Sequence, residues 1–451
     1  MKKLLLVVMM FALLANYSFG QVAKGDRVLA WQVDMAEDGN YDLAFANAQN
    51  ACMESAHLFT TWSSVEPTHG NYDASFIASF FDVINVYYPI NGVDVELQLA
   101  PVNTSALELP SDLLGLSFDD PIVINQFKTL LDTVFAHIPN VTLSALNIGN
   151  ESDIFFGVDA AEYSAYKTFL DSVVPYAQQL YFNLHGSNLN VGTTITFHGL
   201  TDAIQGPLCA NLNTGLDIVA TTYYPLNSDF TMKSPTVVST DFATLVAAYP
   251  STAQPIYFVE CGYSSSASCN SSEVLQAQFY QEVFDAWDTH YDNIKYLTIF
   301  KTNDWSQAEV DQFAIYYGIS SLEFKEYLRT LGVRNWNGVG TKKLAYDQIL
   351  CEVADRNWCS ASCPNIGISE EEVKDYLTCF PNPANDKIHV IGNLITLQSM
   401  EIINILGISY SDKVKKETIN EDEFLLDISK LPEGMYILQS ESTSLVFHKI
   451  F

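Results

Sequence analysis

The chain reads as an α/β protein, a (β/α)8 TIM barrel followed by a small all-β sandwich as C-terminal domain. Three observations predict this. Between Arg27 and about Tyr346, short β-rich runs alternate with longer amphipathic stretches, a pattern that demands crossover connections and parallel pairing. Eight such runs fall within roughly 320 residues, which suits a closed barrel with loop insertions. After Tyr346 the periodicity gives way to turn residues and short alternating segments, the mark of antiparallel pairing.

The eight strand candidates are VLAWQVD (28–34), AHLFTTW (56–62), VDVELQLA (93–100), TLSALNIG (142–149), LNVGTTITF (189–197), DIVATTYY (217–224), PIYFVE (255–260) and KYLTIF (295–300). Between them lie INQFKTLLDTVFAHI, AAEYSAYKTFLDSVVPYAQQL and SSEVLQAQFYQEVFDAW. Their apolar residues recur at three- and four-residue spacing, and the last opens on a Ser271-Ser272-Glu273 cap. A doubly wound open sheet is the competing architecture, but no Gly-rich dinucleotide fingerprint follows the first strand.

Composition bounds the function. Of 451 residues, 53 are acidic and 22 basic, for a formal net charge of −31. That balance excludes a nucleic-acid partner, whose phosphates basic side chains must neutralise, and an anionic membrane surface. With 24 Tyr, 27 Phe and only 17% charged residues, the chain is not disordered.

Lys2 and Lys3, the apolar run Leu4–Leu14 and the small residues Ser18 and Gly20 predict a signal peptide over residues 1–20, cut before Gln21. The run is too short to span a bilayer, so the expectation is a secreted or cell-surface protein without a membrane span, acting as a monomer. Eight cysteines fit an oxidising destination. Cys261 and Cys269 are spaced to staple one loop; Cys351, Cys359, Cys363 and Cys379 cluster late; Cys52 and Cys209 stand alone. Spacing leaves the pairing open. Zinc is disfavoured because no CxxC pair or nearby His accompanies them, no calcium-ligand spacing is present, and no cofactor is expected.

The domain reading is a barrel domain over 21–350, a Cys-containing linker or small stapled loop over 351–379, and a β-sandwich over 380–451. In the last, Pro381, Pro383 and Asn385 supply turn chemistry, and SMEIINILG, FLLDISKL, GMYILQSES and SLVFHKIF read as strands. The PNPAND opening (381–386), the LPEGMYIL segment (431–438) and the end from His448 to Phe451 resemble the C-terminal sorting domains of type IX secretion substrates in Bacteroidetes. That resemblance implies export across the outer membrane, with the type IX machinery as partner. An accessory sugar-binding or interface sandwich is the alternative.

In a (β/α)8 barrel the active site gathers at the C-terminal strand ends. Those ends hold Asp34, Trp62, Gln98, Asn150 with Glu151, His198, Tyr223 with Tyr224, Glu260, and Asn303 to Trp305. No GxSxG elbow, phosphate loop or HExxH helix is present. Carboxylates flanked by aromatics and amides suit a sugar: rings stack on pyranose faces, amides bind hydroxyls, and two carboxyl groups can break an acetal.

Glu151, in LSALNIGNESD after the fourth strand, and Glu260, in PIYFVECGY after the seventh, together with WSSVEPTHGNYD (62–73), Trp305 and YLRTLGVRNWNGVGTKKLAYD (327–347), resemble the clan A glycoside hydrolases. GNE and VECGY look nearest to the family 53 endo-beta-1,4-galactanases. The resemblance implies a retaining hydrolase of poly- or oligosaccharides, with Glu260 as nucleophile and Glu151 as acid/base. Asn150 would then bind the sugar 2-hydroxyl and Tyr223 or Tyr224 would donate to the nucleophile, only one of the two pointing inward because strand neighbours alternate. Trp305 and Trp62 are the candidate sugar platforms, while His198 and Asp34 are candidates for substrate contact. Glu66, before Pro67, reads as fixing a loop. The clan often places an Arg on strand two, and here that strand has only His57 near its start. A non-catalytic, secreted carbohydrate-binding or cell-surface protein on the same scaffold is therefore the alternative function. A structural adhesin predicts repeats or Ser/Thr-rich stalks, and the sequence has neither.

Overall fold

Eight parallel strands and eight covering helices alternate along the first unit of this computed structural model, which describes residues 24–364, 377–392, 400–404, 408–420, 423–439 and 444–450. The expected signal peptide lies outside the described residues. The strands are β1 (Val28–Trp31), β2 (Ser55–Thr61), β3 (Asp94–Asn103), β4 (Leu143–Asn150), β5 in two pieces (Val191–Gly192 and Thr194–Thr196), β6 (Val219–Tyr223), β7 (Ile256–Cys261) and β8 (Ile294–Ile299). The hydrogen-bonded path starts at the second piece of β5, runs through β6, β7, β8, β1, β2, β3 and β4, and ends at the first piece. Only Thr193 separates its two ends, so the ring is nearly closed. Each strand coincides with one of the eight runs read from the sequence, within a few residues.

Period-2 alternation splits each strand between two environments. Ala30, Ala145, Ile218, Ala220, Tyr257, Val259 and Tyr296 form one buried cluster inside the ring. Their neighbours, such as Leu29, Trp31, Leu97, Leu99, Ile148 and Phe258, join the larger cluster between ring and helices. The covering helices are α1 (Tyr41–Asn50), α2 (Phe81–Ile90), α3 (Pro121–His137), α4 (Ala160–His185), α5 (Gly206–Asn213), α6 (Val238–Ala248), α7 (Glu273–Thr289) and α8 (Leu344–Asp355). Their starts follow from capping chemistry. Asp120 accepts from the Ile122 amide with Pro121 at the first helical position of α3, and Ser272, within the expected cap, accepts from Leu275 in α7.

In the segment 351–379, read as a Cys-containing linker or small stapled loop, α8 runs on to Asp355 with Cys351 and Val353 buried, the Cys351–Cys363 disulfide closes a short loop, and the first compact unit extends to Pro364. One expectation is corrected here: Cys261 and Cys269 do not pair. Both are buried free thiols; Cys261 faces the sleeve of helices and Cys269 faces the Glu323 carbonyl. The disulfides are Cys52–Cys359 and Cys351–Cys363.

The second unit has β9 (Leu377–Phe380), β10 (Lys387–Gly392), β11 (Glu401–Asn404), β12 (Lys415–Asn420), β13 (Glu423–Asp427), β14 (Gly434–Gln439) and β15 (Ser444–Lys449). They form two antiparallel sheets, in the orders β9-β10-β13-β12 and β11-β14-β15. Ile388, Val390, Phe424 and Leu426 of the first sheet share one core with Ile402, Tyr436, Leu438 and Phe447 of the second, which makes it a sandwich. The sequence reading named four runs there as strands and left out β9, β10 and β12, the last of which is KKETIN. That last is a polar, exposed edge strand, and such edges are kept charged to resist pairing with other chains.

Candidate active site

A cavity of about 650 Å³ opens at the C-terminal ends of the barrel strands. Two glutamates from nearly opposite strands reach it, and each gets there by a break in regular backbone. At the end of β4, Gly149 has φ +90° and Glu151, just past it, φ +46°. A side chain at Gly149 would collide with the Tyr166 hydroxyl, which donates to Ile148 O at 2.9 Å, so glycine is required. Glu151 itself sits in the left-handed region, a conformation that costs a non-glycine residue about 1–3 kcal/mol and persists only where surroundings impose it. Its carboxyl accepts from Thr222 Oγ1 at 2.7 Å and from Thr104 Oγ1 at 3.0 Å.

Glu260 arrives by a register slip. Thr221 pairs with Phe258, and the next residue, Thr222, pairs with Glu260, so Val259 is an extra residue in β7 and forms a bulge. Val259 belongs to the interior cluster while Phe258 and Cys261 belong to the sleeve. Strict alternation would send Glu260 outward among the helices. The bulge lets Val259 and Glu260 face inward together, and Glu260 lines the cavity. There it accepts from the Tyr224 hydroxyl at 2.6 Å.

Burial, then the negative charge of Glu151, pushes the Glu260 carboxyl up to about 7, against the opposing pull of His57 and the Tyr224 hydroxyl. Burial also raises Glu151, while its two threonine donors hold it back. Both carboxyls face one cavity, among the described residues no cation bonds either, and both are raised, so their titrations are linked. Below them, His57 Nδ1 bonds Glu96, whose other oxygen accepts from Asn147 Nδ2 at 2.6 Å. This polar layer forms the floor.

The residues expected at the site divide into two groups. Asn150, Glu151, His198, Tyr224, Glu260 and Trp305 all line the cavity. Asn150 donates to Asn103 Oδ1 and accepts from Gln98 Nε2, both at 2.9 Å, which leaves one amide hydrogen for a ligand. His198 is exposed at the rim. Trp305 carries Lys301 Nζ over one ring face at 3.7 Å. Three expectations are corrected. Tyr223 is fully buried, stacks against Phe279 and meets Phe242 edge-on, and donates to Asp241 at 2.8 Å; alternation turns it to the helices and its neighbour Tyr224 to the cavity. Trp62 is fully buried against Phe127 and donates to Glu66. Asp34 lies outside the cavity lining, 3.1 Å from Lys301 Nζ. Glu66 is buried and also accepts from the Gly70 amide at 2.6 Å, a loop-fixing role.

Sequence reading missed Thr222, Thr104, His57, Tyr317 and Tyr327, all of which line the cavity. Thr222 was within reach, since it lies two residues before Tyr224 on the same strand face. Tyr317 and Tyr327 were not. They sit on helices Gln307–Tyr317 and Leu322–Arg329, inserted after β8 and folded over the mouth, where Tyr316 bonds Asn103 at 3.1 Å and Glu108 at 2.8 Å. Among the described residues no group of three or more His, Cys, Asp or Glu is placed to hold a metal ion.

Known proteins resemble the two units separately. Residues 378–451 match the family model described as "Secretion system C-terminal sorting domain". This is a type IX sorting domain, and it places the chain at the cell surface or outside the cell. No helix among the described residues is long and apolar enough to cross a membrane. No curated protein matches the chain in sequence. Among solved structures, an exo-beta-1,4-mannosidase from Opitutaceae bacterium strain TAV5 is similar at 15% identity and TM-score 0.54, covering 73% of this chain and 60% of its own. A GH5_18 protein from Streptomyces cattleya in complex with GlcNAc is similar at 14% identity and TM-score 0.55, covering 74% and 82%. One from Bifidobacterium longum subsp. longum gives 13%, 0.53, 75% and 81%. These likenesses show the barrel fold, and the chain spans less than two thirds of the mannosidase.

Proposed function

We propose that the barrel is a retaining O-glycoside hydrolase acting outside the cell on a poly- or oligosaccharide. One observation carries the reading: Glu151 at the end of β4 and Glu260 from β7 line the same cavity, the charge of Glu151 acts on Glu260, and among the described residues hydroxyls hydrogen-bond both carboxyls. Glu260 is the nucleophile. Its oxygen bonds the anomeric carbon as the bond to the leaving oxygen breaks, and Glu151 gives that oxygen its proton. Water then attacks the glycosyl ester, Glu151 takes a proton from it, and Glu260 leaves as carboxylate. Tyr224 donates to Glu260 throughout, and Thr222 and Thr104 aim the Glu151 carboxyl. Trp305 offers a ring face for a sugar. Neighbouring barrels bear the names of a mannosidase and a GlcNAc complex, which makes β-1,4-linked mannosides the first substrates to try, with β-1,4-galactan beside them.

The test is a glycan panel with the purified full chain, read for product anomer. Hydrolysis with net retention, abolished in Glu260→Gln and Glu151→Gln, is the expected result. A 2-fluoro-glycoside should label Glu260. Hydrolysis surviving both substitutions, or binding without any hydrolysis, overturns the reading, and the latter leaves a carbohydrate-binding protein.

A further inference from the structure

The cavity has two unlike sides. Around the glutamates the barrel gives it polar groups, among them Gln32, Thr104, Asn150 and Thr222. The inserted helices Gln307–Tyr317 and Leu322–Arg329, with the residues that join and follow them, give it Ile319, Phe324, Leu328 and Leu331. Leu226 and Phe230, from the loop after β6, complete this second wall; the Phe230 ring packs on Phe324 at 4.9 Å and on Tyr327 at 6.1 Å between centroids. The wall reaches both reacting carboxyls. Tyr327 meets Tyr224 edge-on at 5.8 Å, and Tyr224 donates to Glu260. At the other end Tyr316 bonds Asn103 at 3.1 Å, which sets Tyr317 near Thr104, the donor to Glu151.

A second sugar fits this wall badly. A pyranose hydroxyl that loses water needs a hydrogen-bond partner in exchange, and stacking needs a flat ring face. Leu226, Ile319, Leu328 and Leu331 are branched aliphatics and supply neither. Among the described residues lining the cavity from 313 to 331, the hydroxyls of Tyr317 and Tyr327 are the sole polar side-chain atoms. An alkyl or aryl group, by contrast, gains free energy from every apolar contact it makes there. A cavity of about 650 Å³ is of the size that takes a small amphiphilic molecule. The apolar lining also runs out to solvent, since Ile154 lines the cavity and is 46% exposed, so a chain longer than the cavity still meets apolar surface.

We propose that this wall is an aglycone site, and that the bond cleaved joins the glycosyl group to an apolar alkyl or aryl alcohol rather than to another sugar. This rests on the hydrolase reading and narrows its oligosaccharide to one carried on an apolar aglycone. The bond from the anomeric carbon to the aglycone oxygen breaks as the bond to Glu260 forms, and the Glu151 proton goes to that oxygen. The alcohol departs along the wall. Water then supplies the hydroxyl of the sugar product and returns a proton to Glu151.

The test is kcat/KM of the purified full chain on one glycone, the one the glycan panel shows to be accepted, with the leaving group varied. One arm runs from methyl through butyl to octyl, one is an arylmethyl glycoside, and one is the matching disaccharide, all kept below micelle formation. The straight-chain alcohols beyond methanol are nearly equal as leaving groups, so the slope along that arm reads burial. Each methylene should multiply kcat/KM by up to about 4 until the wall is filled, and the disaccharide should fall below octyl. A gain in the alkyl arm alone assigns a lipid-like chain, and a gain in the arylmethyl arm alone assigns an aromatic aglycone. No gain in either arm, or a disaccharide cleaved faster than every apolar member, overturns the proposal and leaves the hydrolase standing. Ile319→Ser and Leu328→Ser should flatten the slope, and an unchanged slope in the folded variants also overturns the assignment of the wall. Should the variants not fold, inhibition of the unsubstituted enzyme by methyl and octyl thioglycosides decides: tighter inhibition by octyl supports the site, equal inhibition refutes it. Failure of the underlying reading is distinct, because no glycoside of any kind is then hydrolysed and the proposal falls with it.

Discussion

Besides Glu66, Glu96 and Asp153, which are buried elsewhere, the barrel holds carboxyl groups in two regions that it treats differently. On the flank closed by α8, each has a cation in reach. Asp304 meets Lys343 at 2.7 Å, and Lys343 also donates to Ser265, Thr330 O and Gly332 O. Arg356 binds Glu352 and Asp288, and Arg27 bonds Asp288 at 2.7 Å while lying over Trp287 and Trp358. At the mouth, Glu151 and Glu260 have hydroxyls instead of cations. A buried ion pair at best breaks even against apolar packing, so the flank is organised to cancel the burial cost. The mouth leaves that cost standing, which is the signature of groups kept for reactivity rather than stability.

Four substitutions or conditions probe that contrast, in falling order of effect. Glu260→Gln and Glu151→Gln should lower kcat by about 10²–10⁴-fold or more without lowering the thermal midpoint, because each removes an uncompensated charge; loss of fold with activity would make the mouth another structural region. Lys343→Met strands Asp304 and should cost about 3–5 kcal/mol in chemical denaturation, while the protein still folded keeps its kcat.

The third is a pH effect. Glu260 is raised from 4.5 to about 7 in the folded chain, so the folded state holds a proton there that the unfolded state has released. Stability is therefore present below about 4.5 and lost as pH rises toward about 7, by about 3 kcal/mol for a shift of this size. Denaturation midpoints of Glu260→Gln should show a flatter slope over that window than the unsubstituted chain. Finally, Tyr223→Phe removes a buried bond to Asp241 and should cost about 1 kcal/mol with activity intact, whereas Tyr224→Phe should slow hydrolysis. Reversal of the two would place the wrong tyrosine in the mouth.

What the sequence made legible follows the same division. Alternation and helix spacing are local signals, and they carried all eight strands as well as Asn150, Glu151 and Glu260 at strand ends. Tyr223 and Tyr224 were narrowed to one inward residue but not resolved, since a one-residue phase decides the face. Trp62 failed because a strand end opens directly into a helix, whose first residue turns back into the core. Tyr317 and Tyr327 depend on an inserted segment reaching across the mouth to the loop after β3, and no local pattern encodes that reach. The Cys52–Cys359 link spans 307 residues, equally invisible to spacing.

The bulge in β7 has a consequence for how this barrel can change over generations. The height of the Glu260 carboxyl above the packed interior is set by one supernumerary residue, Val259, rather than by the glutamate itself. Loss of a single codon there would restore plain alternation and sink the carboxyl by about 3.3 Å, one strand rise. Every residue named in the mouth would survive such a deletion. A descendant silenced in this way would retain an intact set of site residues and differ only in its reading of length.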